Sequence, residues 1–61
     1  MFEYGNLRYL DKKGWIFLVE GEMKELKADG YIEGFNEVGL EGWELVVYDP
    51  DAGYLFKRKL E

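Results

Sequence analysis

The absence of cysteine and histidine constrains this 61-residue chain more than any residue that it contains. Without cysteine there is no disulfide, and without thiolate or imidazole ligands a structural zinc site has no support. A domain this short buries only about 60% of the surface of its unfolded chain, so packing or association with a second copy must stabilise it. Aromatic residues make up 18% of the chain. We therefore expect one small domain, residues 1–61, with an aromatic core.

Serine, threonine and glutamine are also absent, and this excludes most catalytic chemistry. Nucleophilic catalysis by a serine or threonine hydroxyl or by a cysteine thiol needs an activating base, usually an imidazole, and the chain has neither half of that pair. Two carboxylates can perform acid and base catalysis only across a cleft, which a chain this small rarely forms. We expect no enzymatic activity, no catalytic residues and no cofactor.

No segment of the sequence resembles a targeting signal or a membrane span. The N-terminus lacks a basic run followed by an apolar stretch, so we expect no signal peptide. The longest apolar runs, Trp15–Val19 and Leu45–Tyr48, are far shorter than the roughly 20 residues that cross a bilayer. A cytoplasmic protein without membrane contact is expected. The final pair, Leu60 and Glu61, is interpreted as an expression-vector remnant without functional weight.

Alternating apolar residues and turn residues predict an antiparallel hairpin at the start of the chain. The first strand is Phe2–Tyr9, with a bulge at Gly5. A turn at Asp11–Gly14 leads into the second strand, Trp15–Val19. This strand is apolar on both faces, so we expect a helix to cover one face and a partner molecule the other. Residues Glu20–Ala28 fit a helical turn, a strand extension or a loop, and the choice stays open.

One amphipathic helix is predicted from Asp29, which is a good N-cap, to residue 41. Its apolar stripe recurs at spacings of four and three: Tyr31, Phe35 and Val38. Gly34 and Gly39 each cost about 1 kcal/mol relative to alanine, so packing must hold the helix, and glycine allows close approach to a sheet. Gly42 suits the left-handed position that ends a helix, and Trp43 is expected to fold back over the core.

A second hairpin follows the predicted helix. Its strands are Trp43–Tyr48, with Trp43, Leu45 and Val47 on one face, and Tyr54–Lys59. The connecting residues Asp49–Gly53 contain a proline and a glycine in the positions that a short hairpin loop favours. The predicted fold is therefore α+β, with a single helix packed on an antiparallel sheet in the order β-β-α-β-β.

The segment Phe35–Val46 resembles the stretch that marks a family of small bacterial and phage proteins catalogued as domain of unknown function 4177. Two flanking segments, Met1–Tyr4 and Tyr54–Arg58, resemble the opening and closing strands of that family, so the resemblance covers nearly the whole chain. It implies a compact α+β fold and a prokaryotic or phage origin. The family has no established activity, so the resemblance implies no site.

Negative charge is concentrated in the second half of the chain. Between Asp29 and Asp51 there are seven acidic residues and no lysine or arginine, whereas the whole chain has a net charge of -5. Four of the acidic residues stand four apart and form one ridge on a helix: Asp29, Glu33, Glu37 and Glu41. The ridge is either a solvated face or a surface that docks a basic protein. The nearest internal counter-charge is expected from Lys57–Lys59, and a second copy would offer the same groups.

An alternative function is the binding of a small anion or nucleotide between copies of the chain. Aromatic walls and the cations Arg8, Lys57 and Arg58 are the candidate ligand-binding groups. Both functions agree with self-association as a homodimer or larger oligomer. Direct binding to nucleic acid is disfavoured because the chain is net acidic and phosphate contacts need clustered cations.

Two further patterns have structural readings that we favour. Asp49, Asp51 and Gly53 share the opening of a calcium loop, but the closing glutamate is missing, so we interpret them as a turn and expect no metal site. Trp15 and Trp43 would form a binding platform if both were exposed. A buried Trp43 that anchors the strand after the helix is the preferred interpretation.

Overall fold

A computed structural model describes residues 1–60; Glu61, the second residue of the proposed vector remnant, lies outside the described residues. These residues form six elements: β1 (Phe2–Leu10), β2 (Gly14–Val19), β3 (Glu22–Glu25), α1 (Tyr31–Gly39), β4 (Glu44–Asp49) and β5 (Gly53–Lys59). The antiparallel sheet has the strand order β3-β2-β1-β5-β4. The predicted α+β fold is confirmed, but the order β-β-α-β-β lacks one strand.

The missing strand, β3, lies in the segment whose structure the sequence left open. Gly21 has φ of 79°, a conformation that glycine adopts without strain, and it reverses the chain after β2. Met23 then pairs with Leu18. Just beyond β3, the backbone amide of Leu26 donates a 2.9 Å hydrogen bond to the Trp15 carbonyl, and the Leu26 side chain is buried. Met23 therefore lies in a strand and Leu26 just after it, and the two do not form a helical turn.

The core lies between α1 and one face of the sheet. Strand alternation directs Leu7, Phe17 and Phe56 to this side, where Leu7 is 0% exposed. The Phe17 ring makes edge contacts with Trp43 at 4.9 Å and with Phe56 at 5.9 Å between centroids. Such pairs add roughly 0.5–1.5 kcal/mol beyond the burial of their area. The expectation of an aromatic core is confirmed.

Two glycines allow close packing in this core. Gly5 pairs in unbroken register with both neighbouring strands, and an added Cβ would lie 2.8 Å from Cε2 of Phe17. The predicted bulge at Gly5 is therefore wrong, because the residue makes room for a ring rather than for an extra residue. An added Cβ at Gly34 would lie 3.2 Å from Cδ2 of Leu7, so the predicted close approach holds there. It does not hold at Gly39, which is exposed.

The bulge of the sheet lies in β4 instead. The register shifts between Leu45, which faces Phe56, and Val47, which faces Leu55. One extra residue reverses the side to which the following residues point. The prediction that Trp43, Leu45 and Val47 share one face is therefore wrong.

The start of α1 differs from the prediction by one residue. The N-cap is Gly30 in an extended conformation, without a side-chain hydrogen bond. Asp29 instead donates its backbone N–H to Oε1 of Glu33 at 2.6 Å. This contact resembles the return half of a capping box, in which a glutamate in the first turn accepts from the backbone before the helix.

The end of α1 follows the prediction closely in its chemistry, although the helix ends at Gly39 rather than at residue 41. Gly42 has φ of 91° and donates its N–H to the Gly39 carbonyl at 3.0 Å. Trp43 donates to the Val38 carbonyl at 3.3 Å, and both side chains are buried. This pair of bonds is a Schellman motif with its usual apolar contact. Among residues 1–60, no helix is both long and apolar enough to span a membrane.

Candidate interaction surfaces

The four residues of the acidic ridge (Asp29, Glu33, Glu37 and Glu41) lie along one helix and its two ends. Glu33 and Glu37 belong to α1, whereas Asp29 precedes its N-cap and Glu41 lies in the turn that follows. Glu37 is half-buried and the other three are exposed. The structure thus places all four on or beside α1, but the regular helical spacing applies only to the central pair.

Glu41 has a cation beside it that the sequence did not identify. Its Oε2 lies 3.1 Å from Nζ of Lys24, and both side chains are about half exposed. Among the described residues, the expected counter-charge from Lys57–Lys59 does not pair with a ridge carboxylate. Arg58 donates from its Nη1 to the backbone carbonyl of Glu41 at 3.0 Å, and its ion pair is with Glu3. Lys24 was missed because residues 20–28 had no assigned structure that would place it beside the helix.

Arg58 is held by groups on the helix side of the sheet. Its Nε donates to Oε1 of Glu3 at 2.7 Å, and the same carboxylate forms an ion pair with its Nη2. The guanidinium also lies 4.4 Å from the centre of the Trp43 ring, within the range of a cation–π contact. The side chain is therefore committed to structural contacts around the end of α1.

The three cations proposed for anion binding do not converge on one site. Lys57 lies on the opposite side of the sheet from Arg58, with its Nζ 4.7 Å from the centre of the Phe2 ring. Arg8 is on that same side, but four residues along β1 from Tyr4, the cross-strand partner of Lys57. At about 3.4 Å per residue, this separates Arg8 from Lys57 by roughly 14 Å.

Arg8 instead helps to line a cleft of about 240 Å³ at the hairpin end of the sheet. We call this the aromatic cleft, and its principal lining residues are Arg8, Tyr9, Trp15, Tyr48, Asp51 and Tyr54. Ring centroids lie 5.5 Å apart for Tyr9 and Trp15, and 4.6 Å apart for Tyr48 and Tyr54. The cleft combines stacking surfaces with one cation and one carboxylate.

The predicted alternative of a platform made by Trp15 and Trp43 is wrong, because Trp43 is only 5% exposed and packs in the core. Trp15 is half-buried and has tyrosines around it rather than a second tryptophan. These tyrosines stand near the ends of the predicted strands. The tyrosines come together because β1 of the first hairpin pairs with β5 of the second. The sequence pattern did not specify this pairing.

No helix within residues 1–60 covers the side of the sheet opposite α1, although Ile16 on this side is only 1% exposed. We call this side the open face. Its exposed apolar side chains are 44–56% accessible: Phe2, Tyr4, Met23 and Val47. Strand alternation also places charged residues of both signs on this face: Arg8, Glu25, Glu44, Lys57 and Lys59. It is a mixed apolar and charged surface, close to electrically neutral.

The two edges of the sheet differ in character. The edge strand β3 has four residues, three of them charged: Glu22, Lys24 and Glu25. The edge strand β4 has six residues with an apolar centre, Leu45–Tyr48, and an acidic residue at either end, Glu44 and Asp49. Each residue from 45 to 48 is about half exposed. Because β4 has β5 as its sheet neighbour and is last in the strand order, one row of its backbone groups is free.

The loop between β4 and β5 has a complete explanation as a turn. Oδ1 of Asp49 accepts the backbone N–H of Asp51 at 2.8 Å, and Gly53 has φ of 97°. The side-chain amide of Asn6 donates to the Ala52 carbonyl at 2.7 Å and ties the loop to β1. In the described part of the chain, no three acidic side chains are grouped to hold a metal ion.

Comparison of the chain with family models, with curated proteins and with solved structures found no match. The resemblance of Phe35–Val46 to the family named above therefore stays a prediction, and the function must be argued from the surfaces themselves.

Proposed function

We propose that this protein is a non-enzymatic interaction module that docks a basic protein surface on its acidic ridge. The observation that supports the proposal is the segregation of charge. Between Asp29 and Asp51 the chain has seven acidic residues and no basic one. Within residues 1–60, the ion pair of the ridge is the exposed contact between Glu41 and Lys24. The other three ridge residues form no ion pair within residues 1–60, although Glu37 is half-buried and one oxygen of Glu33 accepts the Asp29 N–H.

The proposed docking depends on solvent-exposed charges, and this gives it a clear physical signature. Complementary potentials accelerate encounter and set orientation more than they raise affinity. Salt screens such charges over about 8 Å at physiological ionic strength. Binding on the ridge should therefore weaken steeply as salt is raised.

The test is capture of a partner by the immobilised protein and by two variants with equal charge changes. The ridge variant is Glu33→Gln with Glu37→Lys, in which glutamine keeps the oxygen that accepts the Asp29 N–H. The control variant is Glu20→Gln with Glu22→Lys, at the turn before β3 and on β3 itself. We expect the ridge variant to lose a salt-sensitive basic partner that the control retains. Equal capture by both variants would contradict docking on the ridge.

A second candidate function is the binding of an aromatic anion, such as a nucleotide, in the aromatic cleft. Arg8 is the one residue of the proposed cationic trio that this cleft includes. Stacking on aromatic rings is worth roughly 1–3 kcal/mol per base. A nucleotide that binds the folded form must raise the melting temperature. The absence of any shift at millimolar nucleotide, or an equal shift in Arg8→Ala, would exclude this function.

We also propose that the open face associates with a second copy. The face is nearly neutral although the chain has a net charge of -5, so two copies can meet there without strong repulsion. With strands about 4.8 Å apart and about 20 Å long, five strands offer roughly 500 Å² per copy. This lies below the roughly 800 Å² per partner of a standard interface, so the dimer is expected to be weak and concentration-dependent.

A further inference from the structure

We propose that the free edge of β4 pairs with an extended segment of the basic partner, which adds a strand to the sheet. This inference rests on the proposed function and names how the partner binds. Strand addition draws affinity from main-chain hydrogen bonds and specificity from the side chains along the edge. It needs an edge with free backbone groups and no charge in its centre, and β4 has both properties.

The two edge strands differ in how well they are protected from pairing with another strand. Natural sheets protect their edges with short strands and charged side chains. β3 has both protections, since three of its four residues are charged. β4 has an uninterrupted apolar centre, Leu45–Tyr48, and its protection is limited to the bulge between Leu45 and Val47. The bulge restricts regular pairing to short stretches, so the edge suits one short strand rather than a growing stack.

The charges at the two ends of β4 favour a basic strand over a second copy of the chain as the partner of this edge. Glu44 and Asp49 flank the apolar centre. If two copies paired antiparallel through this edge, Glu44 of each would lie opposite Asp49 of the other. Like charges directly opposite one another destabilise a strand pair. A strand with an apolar centre and lysine or arginine at its ends turns both contacts into attractive ones.

A synthetic peptide, Lys-Lys-Val-Thr-Val-Thr-Lys-Lys with blocked ends, is a probe of this chemistry. A matched peptide with proline in place of both valines keeps the charge but cannot continue a ladder of hydrogen bonds. Binding is followed by titration, and the site by amide exchange and chemical shifts in the nuclear magnetic resonance spectrum. The edge variant is Glu44→Lys with Asp49→Asn, in which asparagine preserves the oxygen that accepts the Asp51 N–H. The control variant is Glu20→Gln with Glu22→Lys.

We expect the valine peptide to protect amides in residues 45–48 and to bind at least about tenfold more tightly than the proline peptide, a difference of about 1.4 kcal/mol. The edge variant should lose this preference, and the control variant should keep it. Equal binding of both peptides without protection of β4 would overturn the inference. Concentration-dependent protection of β4 without any peptide would also overturn it, because a second copy would then be the occupant.

The ridge variant, Glu33→Gln with Glu37→Lys, separates this inference from the function on which it rests. If that variant loses both peptides while β4 amides never become protected, docking on the ridge stands and strand addition fails. If the variant binds as the wild type does and β4 is protected, strand addition stands and docking on the ridge fails. If neither peptide binds the wild-type protein, strand addition is contradicted, and docking on the ridge is decided by the capture experiment.

Discussion

The two faces of this sheet are built from the same strands but differ in how far their side chains are buried. Phe17 and Leu18 are neighbours in β2, yet Phe17 is packed among aromatic rings beneath α1, whereas Leu18 points to the open face. The difference arises because residues 1–60 contain one helix, which covers one of the two faces. The open face is not exposed throughout, because Ile16 of the same strand is only 1% exposed there.

The largest expected effect is on the covered face. Leu7→Ala should lower the free energy of unfolding by about 2–5 kcal/mol, because Leu7 is fully buried and its loss leaves a cavity under Gly34. In a domain this small, such a loss approaches the whole stability. Urea titration at low protein concentration measures it. Leu18→Ala on the open face is the matched control, and an equal loss there would contradict the difference between the faces.

An intermediate effect is expected where α1 meets the covered face. Gly34→Val should destabilise by roughly 1–3 kcal/mol, since a side chain at this position would push against Leu7. Gly39→Ala, on the exposed side of the same helix, should instead stabilise by about 0.5–1 kcal/mol through helix propensity. Thermal unfolding of both variants gives the two signs. Stabilisation by both substitutions would show that the helix does not pack closely at Gly34.

The smallest effect is expected at the exposed ion pair that joins β3 to the end of the helix. Lys24→Ala removes the contact with Glu41 and should cost at most about 1 kcal/mol at low salt, because both groups are about half exposed. The cost should shrink further in 1 M salt, where screening acts over about 3 Å. A larger cost that persists at high salt would mean that Lys24 stabilises the fold by packing.

Local signals in the sequence predicted how the helix ends more accurately than how the strands pack in the sheet. Gly42 and Trp43 could be assigned because their roles depend on the nearest residues of the chain, and both assignments are confirmed. Gly5 was misinterpreted because the ring that it accommodates comes from Phe17 on another strand.

The same limit applies to the candidate sites. Spacing along one segment placed Glu33 and Glu37 correctly on the helix, whereas Asp29 and Glu41 lie just beyond its two ends. The pairing of Glu41 with Lys24 and the gathering of tyrosines beside Trp15 depend on strand order. Strand order is set by contacts between distant segments, and periodicity in a single sequence does not contain it.

Light scattering over a range of concentrations tests most directly whether the open face binds a second copy of the chain. We expect the apparent mass to rise from the 7.2 kDa of one chain toward about twice that value. Tyr4→Lys, an exposed substitution on the open face, should hold the protein at the mass of one chain, and its like-charge contact with Lys57 on the neighbouring strand should lower the free energy of unfolding by no more than about 1 kcal/mol. A wild-type protein that stays at 7.2 kDa at millimolar concentration, or a Tyr4→Lys variant that still dimerises, would contradict this account.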